Sequence, residues 1–134
     1  MDAAVAKGSL SEADASLWAW VGKCRVLRRE WDLSVPAFQV ALKIKRGLCW
    51  LYWHRLAQSH AQSKRNAMAV KCWLEALKVK PDAKVCWSLL ETGFRQMARP
   101  ELLDRVSARN VSLFEDFFNL DGDAESAPLR ENMN

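Results

Sequence analysis

The chain has 134 residues, half of them hydrophobic, which suffices for one domain with its own core. Its 20 Lys and Arg residues outnumber its 16 Asp and Glu residues, and the basic excess lies in residues 1–100 while residues 101–134 are acidic. No apolar run approaches the roughly 18 residues that a membrane helix needs, and MDAAVAKGSL lacks the charge order of a signal peptide. We therefore expect a cytoplasmic protein without membrane insertion, with the nucleus as the alternative location.

The first two helices are predicted from capping residues and helix breakers. Ser9-Leu10-Ser11-Glu12 has a capping-box pattern, which predicts a helix from about residue 11 to Arg29. Glu30 to Asp32 are predicted to form a turn, and Asp32 or Ser34 is expected to cap a second helix that Gly47 can end.

The middle of the chain predicts a helical hairpin. Apolar residues recur at three and four positions over residues 48–62 and again over residues 67–80. The polar residues 63–66 separate the two helices, and Asn66 is a suitable N-cap for the second. Pro81 cannot continue that helix, so the hairpin is expected to end there.

The last third of the chain predicts a fifth helix over residues 83–97, broken by Ala98-Arg99-Pro100. A long closing helix is then expected from Glu101 to about Leu120, on the apolar stripe Leu103, Val106, Leu113, Phe114, Phe117 and Phe118. Residues 121–134 are acidic with one leucine and one proline, so we expect a disordered tail.

Cysteine and histidine positions argue against a metal centre or a disulfide framework. Cys24, Cys49, Cys72 and Cys86 form no C-x-x-C pair, so we expect four buried, reduced thiols. A site made by Cys49 and His54 is the alternative. No phosphate loop, nucleophile elbow or H-E-x-x-H motif occurs, so we expect no cofactor and no catalysis.

The spacing of the central hairpin resembles the tetratricopeptide repeat. The run Trp53-x2-Leu56-Ala57-x2-His60 is followed by Ala69-x3-Trp73-x2-Ala76 and Pro81, and small residues alternate with aromatic ones as in that family. The first helix recurs 35 residues earlier as Trp18-x2-Val21-Gly22 and 34 residues later from Trp87 to Leu90 and Phe94. The departures from the pattern are His60, Arg25, Arg46, Glu91, Leu103 and Ser107.

This resemblance implies an all-α fold, a right-handed superhelical stack of antiparallel helix pairs with about six helices. The repeat domain would span residues 11–120, with units at about 15–49, 50–83 and 84–117. Residues 1–10 would be an N-terminal extension. Of the seven tryptophans, Trp18, Trp53, Trp73 and Trp87 occupy repeat positions and are expected in the core, whereas Trp20, Trp31 and Trp50 are expected to be partly exposed.

The resemblance also implies a function and a site. The first helices of such units line a concave groove that takes a peptide or helix of another protein. The corresponding groove residues of this chain are Lys23, Leu27, Leu51, His54, Arg55, Gln58, Gln62, Ser88, Thr92 and Arg95. Of the clamp that binds chaperone tails, only positive charge at Lys23 and Arg55 remains, so we expect a different partner, for which an acidic segment fits these two cations.

Two alternatives remain beside this protein-interaction module or scaffold. The basic clusters at helix ends would suit an RNA- or polyanion-binding helical repeat protein. An open end or the convex face of a short stack would suit a homodimer, with off-pattern tryptophans in the interface.

Overall fold

The computed structural model describes residues 11–118, apart from the side chains of Glu12, Phe117 and Phe118. This part of the chain is helical throughout, with no strand. The predictions for residues 1–10 and for the acidic tail at 121–134 lie outside the described residues. The five long helices are α1 (Glu12–Leu27), α2 (Trp31–Ile44), α3 (Trp50–Gln62), α4 (Asn66–Val79) and α5 (Lys84–Gln96).

Each long helix packs against the next one along the chain, so the predicted all-α fold of antiparallel helix pairs is confirmed. The core between the helices alternates large and small side chains. Trp53, Leu56 and Leu90 are at most 2% exposed, and Ala57 and Ala76 are fully buried. Alanine at these positions lets the helix axes approach, and the aromatic and leucine side chains fill the space beside them. None of the helices in residues 11–118 is long and apolar enough to cross a membrane.

The ends of the first helices of the pairs repeat one backbone geometry. Arg29, Lys64 and Ala98, which follow α1, α3 and α5, have φ values of 59°, 68° and 56°. The residue after each donates its N–H to a carbonyl five positions back, at 2.9 to 3.0 Å. This is the hydrogen bond of a Schellman motif, which closes a helix C-terminus. The three residues are 35 and 34 positions apart, the spacing at which the tryptophan pattern recurs. At the end of α2, Arg46 and Gly47 both have positive φ, so Gly47 does help to end that helix.

A second contact also recurs at the same spacing. The indole N–H of Trp53 donates to the carbonyl oxygen of Gly47, and that of Trp87 donates to the carbonyl oxygen of Pro81, both at 2.8 Å. In each case the indole ties the start of a first helix to the backbone that precedes it. The corresponding indole nitrogen of Trp18 is buried without a hydrogen-bond partner.

The N-caps were predicted less well than the helices. α1 starts near residue 11 as expected, but its cap is Ser11 with Asp14 and not the predicted Ser9–Glu12 box. The Ser11 N–H donates to the Asp14 carboxylate at 2.8 Å. The expected caps of α2 are wrong, because α2 begins at Trp31 and both Asp32 and Ser34 lie inside it. The Ser34 hydroxyl is buried and lies 2.6 Å from the Trp31 carbonyl oxygen. Asn66 is likewise the first residue of α4 and not its cap.

The predicted closing helix is wrong. The chain from Pro100 forms a 3-10 turn (Pro100–Leu102), α6 (Leu103–Ser107), a second 3-10 turn (Val111–Phe114) and α7 (Glu115–Phe118). Arg109 has a φ of 53°, and the side chain of Asn110 accepts the N–H of Ser112, which stops α6 and starts the next turn. The break lets Phe114 become fully buried against Trp87 and Phe94, whereas Leu113 of the predicted stripe stays exposed.

The four cysteines divide into two classes. Cys72 and Cys86 are buried as expected, and burial raises the pKa of the Cys86 thiol to about 11, which keeps it protonated and unreactive. The expectation is wrong for Cys24, which is exposed on α1, and Cys49 is only half-buried. Among the described residues, no group of three or more His, Cys, Asp or Glu side chains is arranged to hold a metal ion.

Candidate functional site

A pocket of about 270 Å³ lies where α1, α2 and α3 meet. The C-terminal half of α1, the start of α2 and the C-terminal half of α3 form its walls. The lining residues are Lys23, Val26, Leu27, Trp31, Phe38, Arg55, Gln58, Ser59 and Gln62. Five of the ten predicted groove residues are therefore brought together here: Lys23, Leu27, Arg55, Gln58 and Gln62.

The pocket is cationic at its rim. Lys23 on α1 and Arg55 on α3 both line it, and no Asp or Glu is among the lining residues. The Lys23 ammonium lies 5.5 Å from the centre of the Trp20 ring, and one Arg55 guanidinium nitrogen donates to the Gln58 side-chain oxygen at 3.4 Å. Arg25 and Arg28 at the end of α1 are instead paired with Glu30. The two rim cations thus present donors and positive charge to the pocket.

The floor of the pocket is apolar and rigid. Phe38 is fully buried, and a Cβ added to Gly22 on α1 would come within 2.7 Å of its ring. The close approach of α1 and α2 at Gly22 therefore fixes the ring that forms the floor. The Ser34 and Ser59 hydroxyls are 2.7 Å apart and fully buried, and they tie α2 to α3 beneath the pocket.

His54 does not face the pocket, although it was predicted to. Its side chain is only 6% exposed and lies between α3 and α4, where its Nδ1 accepts the indole N–H of Trp73 at 3.1 Å. Burial lowers the pKa of His54, and the neighbouring Arg55 guanidinium lowers it further. Both effects favour the neutral imidazole, which is the form that can accept the Trp73 hydrogen bond.

The remaining predicted groove residues lie outside the pocket. Leu51 at the start of α3 is 39% exposed. Ser88, Thr92 and Arg95 lie on the exposed surface of α5, where the Thr92 hydroxyl donates to the Ser88 carbonyl oxygen and Arg95 pairs with Glu91. They are available to a ligand that extends beyond the pocket, but they do not form the same concave site.

Four lining residues, Val26, Trp31, Phe38 and Ser59, were not among the ten predicted groove residues. Phe38 and Ser59 are fully buried, and no sequence signal marked either one as a pocket residue. Trp31 was singled out as an off-pattern aromatic, and it is half-buried at the pocket wall. Trp20 and Trp50 are also partly exposed, as expected for tryptophans that fall off the repeat pattern.

Comparison with protein families and with curated proteins supplies no role for this site. No protein-family model matches the chain, and a search of curated proteins found no similar one. Its chemistry must therefore be argued from the residues themselves. Two cations and two amide side chains surround an apolar floor, a combination that suits a short peptide segment carrying a carboxylate and an apolar side chain.

Proposed function

We propose that the chain is a protein-interaction module of the tetratricopeptide-repeat type that binds an acidic or carboxylate-bearing peptide segment in the α1–α2–α3 pocket. The observation that carries the proposal is that Lys23 and Arg55 both line one pocket, which has an apolar floor and no acidic lining residue. The module would act as a scaffold component without catalysis of its own, in a right-handed superhelical stack.

The repeat assignment is supported by three features that share one spacing. Tryptophan recurs at positions 18, 53 and 87, the left-handed helix ends recur at 29, 64 and 98, and the indole-to-carbonyl hydrogen bond of Trp53 recurs at Trp87. Because a helix pair of this kind buries its apolar face only by stacking, repeated contacts at a fixed spacing are the mark of a repeat protein.

The binding mode is supported by the chemistry of the pocket. A carboxylate at the rim would receive charge-assisted hydrogen bonds from Lys23 and Arg55, and Gln58 already orients the guanidinium. An apolar side chain of the same segment would contact Phe38 and Trp31. Exposed ion pairs contribute only about 0–1 kcal/mol each, so most of the selectivity requires the pocket to exclude water around both cations.

The test starts from a display library of random peptides with free C-termini, selected against the full chain. We expect enrichment of acidic residues or of a C-terminal carboxylate next to an apolar residue. Fluorescence anisotropy with a selected peptide would then compare the wild type with Lys23→Glu/Arg55→Glu. The double reversal should weaken binding more than about tenfold, a loss of roughly 2 kcal/mol.

The matched control is Lys43→Glu/Arg46→Glu, which makes the same change in net charge at the end of α2, outside the pocket. This variant should bind the peptide within about threefold of the wild type, since long-range charge effects are screened in physiological salt. Equal loss in both variants, or unchanged binding in the pocket variant, would remove the pocket from the proposal. Both variants should keep the wild-type melting curve.

The second candidate function is binding of RNA or another polyanion along the basic helix ends. It is favoured by the exposed cations at the ends of α1, α2 and α3, where Arg29, Arg46 and Lys64 have left-handed backbone conformations and project from turns. A salt titration with a generic single-stranded RNA separates the two candidates. A steep fall of affinity with salt, abolished by Lys43→Glu/Arg46→Glu, would favour the polyanion.

A further inference from the structure

The outer face of α1 carries an exposed apolar stripe. Ala13, Leu17, Trp20, Cys24 and Leu27 follow each other at alternating spacings of four and three residues, so they lie along one side of the helix. All five are exposed, with Leu17 at 59%, Trp20 at 62% and Leu27 at 82%. Only Leu27 also lines the pocket, so most of this stripe is a separate surface.

The position of Cys24 is covered on α3 and α5 by the preceding helix, whereas the α3 counterparts of Trp20 and Leu27, which are Arg55 and Gln62, line the pocket. The counterparts of Cys24 are Ser59, which is fully buried against Ser34 of α2, and Gly93, whose Cβ position lies 2.7 Å from Val70 of α4. At this position each later first helix therefore seats a neighbouring helix, and on α1 the same position is not covered by any described residue.

Two further observations agree that no described helix covers this face of α1. Val21 is 40% exposed, whereas its counterparts Leu56 and Leu90 are at most 2% exposed. The Trp18 indole N–H is buried without a partner, whereas those of Trp53 and Trp87 donate to the backbone between the preceding helix and their own. The surface thus has the shape and apolar character of a helix-binding site.

The charges of α1 select the occupant. Asp14 lies near the N-terminus of the helix, and Arg28 directly follows its C-terminus. A second copy of α1 placed antiparallel would bring the acidic end of each helix to the basic end of the other, and a parallel copy would bring like charges together. The two helix dipoles also attract each other only when the helices are antiparallel.

We propose that the chain forms a twofold-symmetric dimer through the outer face of α1, with the two copies of this helix antiparallel. From Leu17 to Leu27 the stripe has spacings of three, four and three residues, the same in both directions. Leu17 therefore lies opposite Leu27 of the second copy, and Trp20 lies opposite Cys24 of the second copy. In this register Asp14 reaches Arg28 of the second copy, and symmetry makes the pair twice. Arg28 also pairs with Glu30 of its own chain through Nε, which leaves its outer nitrogens for this contact.

Sedimentation equilibrium of the full chain over a wide concentration series, in low salt with reductant, tests the dimer. The wild type should show a reversible monomer–dimer equilibrium, and dimer formation should protect Cys24 from alkylation. Leu17→Glu should abolish the dimer while circular dichroism keeps the wild-type helix signal, because this side chain is exposed in the monomer. A wild type that stays monomeric at every concentration would overturn the proposal.

A charge swap tests the antiparallel pairing. Asp14→Arg and Arg28→Asp should each weaken self-association about tenfold, because each turns two attractions into two repulsions. The double variant should recover association to within about threefold of the wild type. A double variant weaker than both singles would refute the pairing, and an oxidative Cys24–Cys24 cross-link in the wild type would show a parallel dimer instead.

The fluorescence of Trp20 tests whether a segment of the same chain, and not a second copy, covers the apolar stripe of α1. In a Trp20→Phe difference spectrum, the exposed indole should be solvent-quenched by iodide in the dilute monomer and protected in the dimer. An indole that is protected at every dilution would mean that a segment of the same chain covers the stripe, and the dimer would be wrong. Peptide binding in the pocket is measured separately, so either proposal can fail without the other.

Discussion

The three tryptophans at positions 18, 53 and 87 offer a direct test of the repeated architecture, because only two of them make the indole-to-carbonyl hydrogen bond. Replacing each with phenylalanine keeps an aromatic ring and removes the N–H donor. At positions 53 and 87 the side chains are 2% exposed, so the loss of indole atoms also leaves unfilled volume. At position 18 the indole nitrogen has no partner to lose.

The structure sets the expected magnitudes. A net hydrogen bond contributes about 1 kcal/mol, and the smaller ring loses about 1–2 kcal/mol of packing, so Trp53→Phe should lower the free energy of unfolding by about 2–3 kcal/mol. Trp87→Phe should lie at the lower end, since Pro81 is exposed and water can hydrate its freed carbonyl. Trp18→Phe removes an unpaired buried donor, so relief of desolvation offsets lost packing and the change should stay within about 1 kcal/mol.

Urea unfolding followed by far-UV circular dichroism measures these differences without relying on the fluorescence of the altered residues. Equal m values across the variants would license a comparison of unfolding free energies. If Trp18→Phe lowers the free energy of unfolding as much as Trp53→Phe does, the indole-to-carbonyl hydrogen bond adds no measurable stability at position 53. If Trp87→Phe has no effect, the equivalence of positions 53 and 87 is wrong.

Three further changes probe the packing and the pH response. Ala76→Arg should unfold or aggregate the chain, because Ala76 is fully buried and an unpaired buried charge costs several kcal/mol; a wild-type thermal melt would contradict the helix register. Gly22→Ala should lower the free energy of unfolding by about 1–3 kcal/mol in urea, because the new methyl group displaces the Phe38 ring. The displaced ring should also weaken binding of the selected peptide by more than the change in folding explains. An unchanged free energy of unfolding would show that the ring moves aside without cost. Folding lowers the pKa of His54 below its ordinary value of 6.5, so near and below that pH the unfolded chain binds a proton that the folded chain does not. The free energy of unfolding should therefore fall as the pH drops below about 6.5, by at most about 1.4 kcal/mol per pH unit. His54→Asn, which keeps an acceptor for Trp73, should remove that part of the slope in urea unfolding at about pH 7.5 and about pH 5.5, and an unchanged slope would assign it to other groups.

The central hairpin was predictable because several local signals agree there. The apolar period, the small residues at the helix contact and Pro81 all indicate the same two helices, and the observed α3 and α4 differ from the prediction by at most two residues at each end. The caps were predicted poorly for the opposite reason. Glu30 and Arg65 stand at the N-cap positions, where neither side chain makes a capping hydrogen bond, so no capping residue marks the boundary.

The C-terminal segment shows how tertiary packing overrides a periodic pattern. Leu103, Val106, Leu113 and Phe114 fit one helical stripe on paper, but a continuous helix would present Phe114 and Leu113 on adjacent parts of its surface. The turn at Arg109 and Asn110 instead turns Phe114 alone into the space between Trp87 and Phe94. Burying one large aromatic ring there outweighs the intrahelical hydrogen bonds that the break removes, because the turn residues supply replacements.

Half of the candidate site was predictable, and the limit has a geometric cause. Positions on the outer and inner sides of a first helix follow from the repeat pattern, and this placed Lys23, Arg55, Gln58 and Gln62 on one surface. His54 is next to Arg55 in sequence, so a rotation of α3 by a fraction of a turn decides whether it faces the pocket or Trp73. Sequence periodicity does not resolve such a rotation, whereas a buried hydrogen-bond partner does.

The open face of α1 shows a limit of a different kind. The helix carries apolar residues on both sides, with Ala15, Ala19 and Gly22 toward α2 and Leu17 and Trp20 away from it. From the sequence alone, a helix with apolar residues on both sides is predicted to be buried on all sides. Which side is uncovered depends on whether another helix precedes it in the stack, and that is a property of the assembly. The apolar outer face of α1, which no described residue covers, is exposed to water in a monomer and would be buried in the dimer proposed above, so the assembly and not the helix sequence decides its environment.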